Sequence, residues 1–114
     1  MELTITRWNQ PEPPTEDELR LLYREEGLAP YAWGNDPGDF YAPHSHSYDK
    51  VLYVVSGSIT WFLPQAVSAA SPSGQQIDAF PGDRIDLPRG TVHAALVGPH
   101  GVVCLEAHAT VSAG

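Results

Sequence analysis

Lysine is almost missing from this chain. A single lysine, Lys50, stands against five arginines in 114 residues, and there is one cysteine, Cys104. A lone cysteine excludes an internal disulfide, so packing alone has to hold the fold. Positive charge is scarce altogether: six Lys and Arg against fourteen Asp and Glu give a formal net charge of −8. That balance cannot build the basic face that nucleic acid or an anionic membrane surface requires. No apolar run approaches the length of a membrane span, and the opening MELTITRWNQ lacks the basic start and apolar middle of a signal peptide. The expectation is a soluble, cytoplasmic protein with no nucleic-acid or membrane partner. With 42% hydrophobic residues, the chain has enough apolar material for one domain with its own core.

One helix is legible. In PPTEDELRLLYREEG, Thr15 is the N-cap and Glu18, three residues on, completes a capping box; Gly27 supplies the stop. Acidic residues crowd the first turn, where the helix dipole favours them. Leu19, Leu22 and Tyr23 form an apolar stripe that docks on the rest of the fold. The stretch MELTITRWN reads as a short edge strand. Residues 1–30 are therefore expected to be an N-terminal strand and helix packed on a body spanning 31–114.

Beyond residue 30 the texture is that of strands. Gly and Pro punctuate short apolar runs at NDPGD, SG, FPGD, LPRG and VGPHG, the pattern of an all-β sandwich or barrel. The small, polar stretch 64–76 is expected to be a long, mobile loop. His44 and His46 stand one residue apart, so on an extended chain both point to the same side. Two imidazoles converging on one side are the beginning of a metal site.

The spacing goes further. Gly38 is followed after five residues by His44, then His46, then after three residues by Lys50 and after six more by Gly57. In GDRIDLPRGTVHAALV, Gly82 is followed by Pro88, Gly90, His93 and Val97. These two stretches resemble the first and second motifs of the cupin superfamily, in order and with the intervals kept, over residues 38–97. The resemblance implies a cupin-type jelly-roll β-barrel carrying one short α-helix. It also implies a metal site drawn from His44, His46, position 50 and His93, holding one divalent transition-metal ion (Fe, Mn, Ni, Zn or Cu). The chain departs from the family at Lys50, where glutamate is usual, and at Val97, where asparagine is frequent.

Three neutral imidazoles leave a dication's charge uncompensated. Strand alternation turns Lys50 inward with Leu52 and Val54, and a buried ammonium needs a partner. A hairpin turning over residues 98–101 would set Val97 opposite Val102, Ala95 opposite Cys104 and His93 opposite Glu106, which brings Glu106 to the same cavity. Glu106 would then bind the metal or pair with Lys50, and His108 is a weaker candidate on the same face. A second hairpin at Ser56–Gly57 would pair Lys50 with Leu63, Leu52 with Trp61 and Val54 with Ile59. Leu52, Trp61, Ala95 and Cys104 would then wall a pocket for a small-molecule ligand. His100 is expected in solvent, and Tyr48 and Asp49 near the histidines. Lys50 and Glu106 are the candidate catalytic residues: Lys50 as a cationic handle for a substrate oxygen or as a general base, or else merely as an internal ion pair. The expected function is a metalloenzyme of oxygenase, isomerase or lyase type acting on a small organic acid or phenolic compound. The alternative is a non-catalytic module that binds a small molecule or metal. Exposed sheet edges lead to the expectation of a homodimer, with the N-terminal strand available to a neighbour.

Overall fold

A computed structural model describes residues 3–109. Its elements, in chain order, are β1 (Thr4–Thr6), α1 (Glu16–Glu25), β2 (Tyr31–Asn35), β3 (Phe40–His44), β4 (Asp49–Leu63), β5 (Gln75–Ala79), β6 (Arg84–Leu87) and β7 (His93–Ala109). All pairings are antiparallel. The strand order is β1-β6-β4-β7-β2, with β3 also on β7 and β5 also on β4. The expected end of the body at residue 114 lies outside the described residues.

Alternation along the two long strands builds two separate cores. Leu52, Val54, Ile59, Trp61 and Leu63 of β4, with Ala95, Val97, Val102 and Cys104 of β7, fill the interior. The intervening residues Val51, Tyr53, Leu105 and Ala107 face the other way, into a smaller cluster with Leu19 and Tyr23 of α1. The helix therefore covers one outer face of the β4–β7 pair. It starts as expected: Thr15 and Glu18 form the capping box, and Gly27, at φ 73°, follows its end. Burying Leu19 completely is worth about 1.5–3 kcal/mol. Tyr23 is equally buried, and its hydroxyl lies 2.7 Å from the Val51 carbonyl and 3.0 Å from the Leu105 carbonyl, its one proton shared between the two acceptors. This side chain thus fastens the helix to both long strands at once.

The two expected hairpins do not form. Instead of reversing at Ser56–Gly57, β4 runs on and stays paired with β7 along its whole length. Leu52 lies opposite Glu106, Val54 opposite Cys104, Ile59 opposite Val97 and Trp61 opposite Ala95. Lys50 therefore pairs with His108 and Leu87 and not with Leu63, and His93 pairs with His44 and not with Glu106. Residues 98–101 are a bulge in β7, lying where the register shifts between Gly57 and Ile59 of β4. Both strands bend there on glycine. Gly57 has φ 75° and Gly101 φ 76°, and a Cβ on Gly57 would fall 2.0 Å from the Gly101 carbonyl oxygen. Inside–outside parity survives this change, because every residue keeps its face when paired strands bend together.

One smaller expectation is also corrected. The loop after β4 ends sooner than residue 76, since β5 begins at Gln75. The N-terminal strand is paired on one side within the chain, Thr4–Thr6 with Asp86–Arg84, and stands at one end of the strand order. The segment after it is tied down at Asp83, only 4% exposed, which accepts from Arg7 Nη1 (2.8 Å) and from the backbone N–H groups of Trp8 and Phe80. No helix among the described residues is long and apolar enough to cross a membrane.

Candidate functional site

Three histidines meet at one end of the interior. His44 closes β3, His93 opens β7 and lies opposite it in register, and His46 sits in the connection from β3 to β4. That connection is held in place by Gly90, whose N–H donates to the His46 carbonyl at 2.8 Å. Nearby, the Arg89 N–H donates to Asp49 Oδ1 at 2.8 Å. The imidazole centroids are 4.7 Å (His44–His46), 4.4 Å (His44–His93) and 5.3 Å (His46–His93) apart. One ring nitrogen from each lies within 4.8 Å of the others.

The same local device orients two of the rings. His44 Nδ1 lies 2.7 Å from the Ala42 carbonyl and His93 Nδ1 2.9 Å from the Thr91 carbonyl, each two residues back. A carbonyl only accepts, so both Nδ1 atoms carry the proton and both Nε2 atoms keep a lone pair. His46 Nε2 is buried with no protein partner. Burial, then the Lys50 charge and the two other imidazoles, lower the His46 pKa to about 4. Burial lowers His93 too, against the opposing effect of its bond to Thr91. Two imidazoles anchored through Nδ1, with a third beside them whose Nε2 has no protein partner, fit a divalent transition metal; ligating histidines are characteristically fixed through the nitrogen that does not bind the metal. The donor set is all nitrogen, which suits Zn, Cu, Fe or Ni better than a hard cation.

Beside the histidines opens a cavity of about 310 Å3. Five of its walls are aromatic (Tyr31, Trp33, Tyr41, Tyr48 and Trp61), and Ile59, Ala95, Lys50, Glu106 and the three histidines complete it. Glu106, 4% exposed, collects donors. Trp33 Nε1 donates to its Oε1 at 3.1 Å, and Lys50 Nζ stands 3.6 Å from the same oxygen. The Tyr31 hydroxyl and His108 Nε2 (2.7 Å) donate to Oε2. Burial alone would raise the pKa of this carboxyl. The Tyr31 and His108 bonds, the Lys50 charge and the Trp33 bond outweigh burial and hold it below the ordinary glutamate value. The same contact raises the Tyr31 phenol, after burial.

The fold has counterparts among solved structures. A KdgF from Halomonas sp. is 26% identical with a TM-score of 0.55, over 71% of this chain and 67% of that one. An RmlC-like cupin from Shewanella frigidimarina is 22% identical with a TM-score of 0.56, over 71% and 64%. The chain has the fold of a small cupin domain. The polyketide cyclase RemF from Streptomyces resistomycificus is 25% identical with a TM-score of 0.56, over 71% of this chain and only 54% of the cyclase. No family model matches the sequence, and no curated protein matches it.

Within this cupin fold, most of the residues singled out from the sequence come to one place. His44, His46 and His93 form the cluster, and Lys50, Glu106, Trp61 and Ala95 line the cavity beside it. Leu52 and Cys104 do not. Both point inward but are packed in the main core with Val54, Ile85 and Val102, because the cavity occupies only the histidine end and side chains fill the remainder. Burial pushes the Cys104 thiol up to about 12, which removes it as a nucleophile. Glu106 is not one of the clustered metal-binding groups; it pairs with Lys50. Asp49 holds Arg89. Tyr48 stacks on His46 (5.1 Å) and on His108 (4.0 Å), and His108 reaches Glu106 without lining the cavity.

Tyr31, Trp33 and Tyr41 went unnoticed in the sequence. The signal was there in the alternation of YAW, which puts Tyr31 and Trp33 on one face of β2, opposite Glu106 and Cys104. Without knowing that β2 lies beside β7, nothing directs that face to the pocket.

Proposed function

We propose that His44, His46 and His93 hold one divalent transition-metal ion, and that the cavity beside them binds a small anionic oxygen compound, an organic acid or a phenol. The convergence of three imidazoles on one point, two of them anchored through Nδ1, supports this above all. When bound, such an ion supplies a Lewis acid with room for an oxygen ligand. The protein around it balances none of that charge: the imidazoles are neutral, and Lys50 and Glu106 cancel each other. A negatively charged ligand supplies the missing balance.

Each remaining group has a task in this reading. An ammonium carries three donors, and Glu106 occupies one side of Lys50, so its other N–H groups remain available for a ligand oxygen. Glu106, held by Tyr31, Trp33 and His108, fixes where that ammonium stands. The aromatic walls exclude water, which strengthens both interactions. Chemistry of the oxygenase, isomerase or lyase type is what such a pocket suits. That the polyketide cyclase of the same fold is an enzyme is in keeping with a catalytic role.

One observation favours the non-catalytic alternative. Both oxygens of Glu106 are engaged by donors, so the pocket contains no free carboxylate base.

Metal analysis of the purified protein tests the site. The wild type should carry metal in stoichiometric amount, and replacing His46 and His93 together with alanine should abolish it; unchanged metal in the double variant refutes the assignment. Oxygen uptake and absorbance assays of the loaded protein with small organic acids and phenols then separate enzyme from binding module.

A further inference from the structure

Two buried polar side-chain atoms among the described residues have no protein partner, His46 Nε2 and Trp61 Nε1. A metal accounts for the first. It does not account for the second, because an indole N–H is a donor and cannot ligate a cation. Trp61 is 4% exposed. Its ring lines the cavity and lies 5.8 Å from that of His93. Its partners in the strand register are Ala95 and Ile77, neither of which has a side-chain acceptor.

The other two tryptophans behave differently. Trp33 donates to Glu106 at 3.1 Å and Trp8 to the Glu12 carbonyl at 2.7 Å. Leaving a buried donor unsatisfied is costly, and phenylalanine would fill the same wall without that cost. A tryptophan whose N–H the protein leaves unsatisfied, on the wall of a ligand-sized cavity, points to an acceptor that arrives with the ligand.

We propose that Trp61 is a ligand-positioning residue: its indole N–H donates to an anionic oxygen of the small molecule bound at the tris-histidine site. The inference rests on the functional reading above and narrows it. The ligand carries at least two oxygens, one directed to the histidine cluster and one to Trp61, on a body flat enough for aromatic walls. Enolates, hydroxamates, carboxylates and phenolates with a neighbouring oxygen satisfy this; amines and thioethers do not.

Benzohydroxamate, a flat two-oxygen anion, serves as the probe. Protein loaded with Co2+ is titrated with it by visible absorption, and protein loaded with Zn2+ and labelled with 15N-tryptophan is followed by NMR. The Trp61 indole resonance is assigned by elimination with Trp8→Phe and Trp33→Phe, so the wild-type measurement stands even if a Trp61 variant folds poorly. Probe binding should shift that resonance downfield. Trp61→Phe should keep its metal content and bind the probe at least tenfold more weakly, about 1.4 kcal/mol. An unmoved Trp61 resonance at saturating probe, or equal affinity in Trp61→Phe, overturns the proposal. Wild-type protein that takes up Co2+ but no probe overturns it as well, with the metal site intact. Failure to take up Co2+ at all overturns the metal reading and this proposal together.

Discussion

Replacing Lys50 with methionine removes one charge, keeps the length of the side chain and leaves Glu106 buried. In the native protein the pair is 3.6 Å apart with side chains 12% and 5% exposed. At an effective dielectric near 20 the gross attraction is about 4.6 kcal/mol. Desolvation offsets much of this, and breaking a buried pair typically costs about 3–5 kcal/mol when the remaining charge is abandoned. Glu106 is not abandoned, since Tyr31, Trp33 and His108 still donate to it. The net loss should therefore be smaller, about 1–3 kcal/mol.

Urea unfolding of the chelated protein at neutral pH measures that loss, and a cycle with Glu106→Gln isolates the pair. The coupling should be about 1–3 kcal/mol; a value under about 0.5 kcal/mol, within ordinary non-additivity, would refute the ion pair as an energetic unit. The same substitution moves metal binding the other way. Lys50 is, after burial, the strongest influence lowering His46, so its charge is felt where a cation would sit. Without it, affinity for Zn2+ should rise roughly threefold to tenfold, read by competition with a chelating dye. If Zn2+ binding weakens instead, Lys50 is a ligand and not a handle.

Gly57→Ala should cost roughly 3 kcal/mol or more, because it combines a left-handed backbone with a 2.0 Å clash against the Gly101 carbonyl. Gly38→Ala, at φ 79° with nothing within 4 Å of the added carbon, should cost only about 1–2 kcal/mol; equal losses in thermal unfolding would sink the bend argument. The metal-free protein should lose stability as pH falls from 6.5 towards 4, because unfolded His46 binds its proton near 6.5 and the folded form only near 4. Urea midpoints across that window should flatten in His46→Asn, and an unchanged slope would count against a buried, neutral His46.

The site was more legible in the sequence than the strand pairing that builds it. His44, His46 and His93 were readable because they keep the intervals of the two cupin motifs, and Lys50 because it replaces an expected carboxylate. Glu106 was reached through a hairpin that does not exist. The inference held because parity, not partnership, decides which face a strand residue occupies. Val97 and Val102 are both inward whether β7 folds back on itself or crosses β4 with a bulge. Gly57 and the Gly98–Gly101 stretch look like turns in sequence because positive φ serves a reversal and a bend alike. Only the packing of Gly57 against Gly101 separates the two, and that contact lies between strands far apart in sequence.

The ion pair also changes what the lost glutamate means. A carboxylate at position 50 would have offset part of the charge of a metal held by the three histidines. Here a carboxylate does enter the pocket, from β7, but Lys50 and three uncharged or hydrogen-bonding donors consume its charge before the histidine cluster can use it. The pocket thus keeps the polar groups of a charged site with none of the compensation. Trp61 adds one more unanswered donor. Apart from the imidazole lone pairs and the phenol oxygens, the uncommitted polar groups of the cavity are the Lys50 ammonium and the Trp61 N–H, a cation and a donor, and that asymmetry supports the proposal of an anionic ligand over a cationic one.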